Sequence, residues 1–112
     1  MKKSDYFYFE NDEGIGAVNR DALIYVAYQT SLEMLDMYQL LPEEQVKKLA
    51  RKKVILSEED GKVNLHMYIP MKRNVNAREV CEFIQHEVRR VFLHMWNIKI
   101  HRIDLTIDMI EI

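Results

Sequence analysis

Apolar and polar positions alternate most regularly near the end of the chain, where Ile103, Leu105, Ile107 and Met109 are interleaved with Arg102, Asp104, Thr106 and Asp108. Alternation with a period of two marks a β-strand with one dry face, and it is expected over residues 98–112. Ile98 and Ile100 are out of phase with Ile103, which predicts a bulge near His101 and Arg102. A second alternating run, Val63, Leu65, Met67 and Ile69 against Asn64, His66 and Tyr68, follows Asp60-Gly61. With residues 54–56 before it, that pair predicts an antiparallel hairpin, because Asp-Gly accepts the positive φ values of a tight turn. Pro70 is expected to end the second arm, since proline has no N–H for a sheet ladder.

The pattern changes to a helical period after residues 71–75. Val80, Ile84, Val88, Val91 and Met95 form a stripe with Cys81 and Phe92 beside it, while Glu82, Glu87, Arg89 and Arg90 face water. Asn76 with Glu79 three residues later resembles a capping box, so this helix is read from Asn76 to about Trp96. An earlier helix is read from about Arg20 to about Met34, capped by Asn19 and aided by Asp21 at its positive end. Its face of Ala22, Leu23, Val26, Ala27 and Thr30 is narrow enough to lie close on a sheet. The aromatic run 6–9, the turn residues 11–14 and the apolar piece 15–18 predict a strand or hairpin ahead of it. Pro42 followed by Glu43 and Glu44 predicts a short helix to about Arg51. Its basic run, residues 47–53, then complements the negative end of the helix dipole. The resulting order of strand, helix, short helix, hairpin, helix, strand is an α+β arrangement. Both long helices are expected on one face of a small mixed sheet.

Length and composition fit one domain: 112 residues, 48% hydrophobic and 30% charged. No apolar run approaches the roughly 18–20 residues of a spanning helix, and the first residues lack the apolar stretch of a signal peptide. The expectation is a cytoplasmic protein without direct membrane insertion. The single Cys81 offers no internal disulfide, and three glycines do not build a phosphate loop.

Candidate chemistry is thin. His66, His86, His94 and His101 show neither zinc-enzyme spacing nor a Cys-x-x-Cys partner. His86 and His94 lie about 12 Å apart along one helix, too far to share an ion. His66 and His101 would form a pH-sensitive pair only if their strands were neighbours and brought them together. Asp104 and Asp108 share a strand face but are roughly 13 Å apart, so they do not share a proton, and pairing with Arg102 is the expected role. Cys81, on the inner shoulder of a helix, reads as a small hydrophobe. No catalytic residue, metal ligand or cofactor site is assigned, and the chain is expected not to be an enzyme.

Two segments, residues 14–29 and 62–112, resemble the alkaline shock protein family of Gram-positive bacteria. The first is similar to that family's opening glycine, short strand and helix. The second is similar to its strand, amphipathic helix with an Ile-Gln pair (Ile84-Gln85) and final isoleucine-rich strand. Met71-Lys72 and Trp96-Asn97 stand where the family commonly has Tyr-Gly and Thr-Gly, which marks a divergent member. The resemblance implies a non-enzymatic assembly protein of cell-envelope stress or maintenance. Its implied partners are itself and a membrane-anchored protein, at the inner face of the membrane. It supplies no catalytic residues. Residues proposed for interaction are Tyr6, Tyr8, Tyr68, Lys72, Arg73 and Arg102. The alternative is a small RNA-binding domain using Lys72, Arg73 and the basic run 47–53. The formal charge of −2 gives no strong field for nucleic acid, and DNA is not expected as a partner.

Overall fold

A computed structural model describes residues 5–37, 54–60, 62–71 and 76–109. Strands β1 (Tyr6–Asn11) and β2 (Gly14–Asn19) form an antiparallel hairpin, with Phe7 opposite Val18 and Phe9 opposite Gly16. Phe7 is buried, and the ring of Phe9 lies over Gly16 so closely that a Cβ there would meet it at 2.4 Å. Helix α1 (Arg20–Met37) follows at once, and Asn19 Oδ1 accepts the Asp21 N–H at 2.8 Å. The sequence therefore places the start of α1 correctly, and the helix runs three residues past Met34.

Strands β3 (Val54–Glu59) and β4 (Lys62–Met71) are antiparallel, with Glu59 opposite Lys62 and only Asp60-Gly61 between them. Asp60 has φ 52°, as the Asp-Gly turn requires. Helix α2 (Ala77–Trp96) then crosses over to β5 (Ile100–Met109), which pairs parallel with β4. The order β3-β4-β5 makes a mixed sheet of three strands. The fold is thus α+β, and among the described residues the order of elements roughly matches the expected one. The opening strands form a second, two-stranded sheet of their own.

The ladder shifts between Val63, opposite Ile100, and Asn64, opposite Arg102, leaving His101 as the extra residue. The phase break in the sequence located this bulge. Pro70 does not end β4, which continues to Met71. Among the described residues β3 pairs with β4 only as far as Met67, so at Pro70 just one neighbour needs hydrogen bonds.

Val63, Leu65, Met67, Ile69, Ile100 and Ile103 bury one face of this sheet beneath the helices. Ser31 on α1 donates to Ala27 O at 2.8 Å and reaches Met67 Sδ at 3.4 Å, so small residues let α1 approach β4. Helix α2 contributes Val80, Ile84, Val88 and Phe92, all buried. The expected end of that stripe is corrected here: Met95 is 53% exposed and Val91 only half-buried, while Phe92 is fully buried. Steps of four carry the stripe through Phe92 to Trp96, whose ring meets Phe92 edge-on with centroids 5.2 Å apart.

Asn76 Oδ1 accepts the Glu79 N–H at 3.2 Å. At the other end Asn97 adopts the left-handed conformation, and its N–H donates to Leu93 O at 2.9 Å. Asparagine tolerates that conformation better than most side chains, so it ends the helix without glycine. Asn76→Ala removes the N-cap acceptor and is expected to lower stability by about 1 kcal/mol, read as a lower urea midpoint with unchanged slope. The expected short helix at residues 42–51 lies outside the described residues.

Candidate interaction surface

Alternation along the three strands fixes what the uncovered face of the sheet presents. It carries Ile55, Ser57 and Glu59 from β3, Lys62, Asn64, His66 and Tyr68 from β4, and Arg102, Asp104, Thr106 and Asp108 from β5. Both helices lie on the opposite face, so these side chains meet no covering layer among the described residues.

The central strand supplies the most ordered part. His66 and Tyr68 stack with ring centroids 4.7 Å apart and planes inclined by 15°. His66 Nε2 also lies 2.7 Å from Thr106 Oγ1, which fixes the ring against β5. Next to it Ile55, opposite His66, is 53% exposed. A shallow depression of about 320 Å³ runs between Ile55, His66, Asn64 and Arg102. Asn64 Oδ1 is buried there and accepts no hydrogen bond among the described residues. An exposed apolar side chain beside a stacked ring pair suits contact with another polypeptide.

Charge on this face is mixed, with one more acid than base. Lys62 and Arg102 oppose Glu59, Asp104 and Asp108. Arg102 Nη2 donates to Asp104 Oδ1 at 3.1 Å, so the expected partner of Arg102 is two residues along its own strand rather than across the ladder. This pair is exposed and contributes little to stability. His66 is opposite Asp104, while His101 sits at the bulge three positions earlier, so the two histidines are not brought together. His86 and His94 are exposed on α2. No group of three or more His, Cys, Asp or Glu side chains among the described residues is arranged to hold a metal ion.

Of the residues singled out in the sequence, Tyr68 and Arg102 share the open face. Tyr6 and Tyr8 lie on the separate hairpin sheet, Tyr6 half-buried and Tyr8 49% exposed. Lys72, Arg73 and the basic run 47–53 lie outside the described residues. Cys81 is half-buried and packs against the core; burial pushes its thiol pKa up, away from the reactive thiolate. The hydrogen bond from Arg90 holds Glu87 below the ordinary carboxyl range. Lowered in the folded state, that group favours folding above its unfolded pKa and loses this contribution as pH falls through its folded one.

Sequence reasoning missed two features. Ile55 occupies a polar-face position in a short strand whose alternation is too brief to assign a side. Gln85 and Arg89 donate to the β5 carbonyls of Ile103, at 2.9 Å, and Ile100, at 3.4 Å. Their spacing of four along one helix flank was the available signal, but it reads equally as solvent-facing. No helix of the described residues is long and apolar enough to cross a membrane. No family model, curated protein or solved structure matches this chain.

Proposed function

We propose that this chain is a non-enzymatic protein-assembly domain that works through the uncovered side of its three-stranded sheet. The observation that carries the reading is the open face itself: the His66–Tyr68 stack beside exposed Ile55, within a field of mixed charge. Proteins rarely leave apolar and aromatic groups clustered on a sheet face unless something docks there. The resemblance to the alkaline shock protein family adds the finer reading. In it the partners are the chain itself and a membrane-anchored protein, at the cytoplasmic side of the cell envelope. An RNA-binding surface of this type would need a basic track, and among the described residues this face sets only Lys62 and Arg102 against Glu59, Asp104 and Asp108.

The test is affinity capture of the tagged chain from gently solubilised native cells, with washes of rising salt, beside an Ile55→Asp/Tyr68→Ala variant. The reading predicts bound protein, including a membrane protein, that withstands salt and is lost with the variant. Recovery of RNA or ribosomal proteins that leave steeply as salt rises would overturn it.

A further inference from the structure

The ten-residue strand β5 is an edge: β4 occupies one side, and among the described residues no strand occupies the other. Backbone N–H and C=O groups alternate sides along a strand. Gln85 bonds the Ile103 carbonyl from outside the ladder, so Ile103, Leu105 and Ile107 are the residues that turn their backbone groups outward. Helix α2 therefore covers the stretch from 100 to 103. Beyond it, up to Met109, no side chain bonds the edge among the described residues. That stretch has neither lysine nor bulge after Arg102, and its only charges, Asp104 and Asp108, are ones a partner of complementary charge can meet. The other edge of the sheet is less inviting, because β3 is only six residues long, carries Glu58 and Glu59, and has its Leu56 carbonyl bonded by Arg20.

Resting on the assembly reading, we propose that the partner at this edge is a second copy of the same chain. The copies join β5 to β5 antiparallel about a two-fold axis at Leu105. The charge pattern singles out this arrangement. With Leu105 opposite itself, Ile103 faces Ile107, Asp104 faces Thr106, and Arg102 faces Asp108 at both ends. An axis at Asp104 would set two carboxylates directly opposite each other. An axis at Thr106 would oppose Asp104 to Asp108 twice. An axis at Ile103 would centre the pairing on the stretch α2 already covers. Among these, only the Leu105 axis makes two ion pairs and no repulsion while centring the pairing on the free part of the edge. Arg102 and Asp108 then occupy positions without ladder hydrogen bonds, where facing side chains approach most closely. Ile103, Leu105 and Ile107 exchange the backbone bonds, and the Ile103 carbonyl has a second lone pair beyond the one Gln85 uses. The product is one sheet in the order β3-β4-β5-β5-β4-β3 with its open face doubled in length.

Sedimentation equilibrium of the full chain tests this, with circular dichroism confirming that each variant folds. The wild type should show a concentration-dependent monomer–dimer equilibrium. Asp108→Arg and Arg102→Asp, each turning two attractions into two repulsions, should weaken it by roughly tenfold or more. The double exchange Arg102→Asp/Asp108→Arg should restore it. A wild type that stays monomeric at every concentration, single variants that associate like the wild type, or a double exchange that fails to rescue would each overturn the proposal. If the wild type is monomeric yet affinity capture still retains a salt-resistant protein, the edge pairing falls and the assembly reading stands. If the dimer and its rescue are observed while capture yields only salt-sensitive RNA, the pairing stands and the assembly reading falls.

Discussion

Ile84→Asp is expected to abolish the folded state. Ile84 lies at the centre of the α2 stripe, fully buried between Val80 and Val88. Truncating such a side chain to alanine costs about 2–5 kcal/mol from lost transfer energy and the cavity left behind. Aspartate adds a carboxylate to a site where neither a basic group nor a backbone N–H is free to meet it, because helix N–H groups at that depth are already bonded. The combined cost is comparable to the roughly 5–15 kcal/mol that holds an ordinary domain folded. Far-UV circular dichroism and a urea titration would show an unfolded chain in water. The contrast is with the open face: His66→Ala and Asp104→Asn should leave spectrum and midpoint nearly unchanged, since both residues lie on the uncovered side. Leu105→Asp falls between these cases, because Leu105 is only half-buried at the sheet edge.

Phe92→Ala is expected to give the next largest effect, with a folded but much weakened protein. Phe92 is wholly buried and contacts Trp96 edge-on, so truncation removes a large apolar surface and a directional ring contact together. The loss is about 3–5 kcal/mol, which for a chain of this size lowers Tm by roughly 10–20 °C. Trp96 is the single tryptophan, so its emission reports on the site directly. A red shift in the native variant, with the lower Tm, is the expected result. Unchanged emission and Tm would mean that the end of α2 is not packed as described.

Much of this architecture was legible from spacing because each element carries its own punctuation. Asn19 and Asn76 announced helix starts, Asp60-Gly61 announced the hairpin, and the phase slip between Ile100 and Ile103 announced the bulge. Pro70 misled because a local rule about missing N–H groups depends on whether a neighbouring strand is there to need one. Met95 misled because steps of three and of four both fit a helical stripe, whereas the buried side follows steps of four from Val88 through Phe92 to Trp96. The interaction surface was legible only in part. Alternation placed His66, Tyr68, Arg102 and Asp104 on one polar face. The parallel register that sets Thr106 within reach of His66, and the free outer edge of β5, are properties of strand order. Strand order depends on which elements pack together, and no single segment encodes it.

Amide hydrogen exchange, followed residue by residue at low and high protein concentration, tests most directly whether the outer edge of β5 is built to pair with a second copy of the chain. The account predicts that the Leu105 and Ile107 amides exchange quickly in dilute solution and slow markedly as concentration rises, while the β3 amides do not respond. Exchange at β5 that is already slow when dilute, or that is indifferent to concentration and slows only when RNA is added, would contradict it.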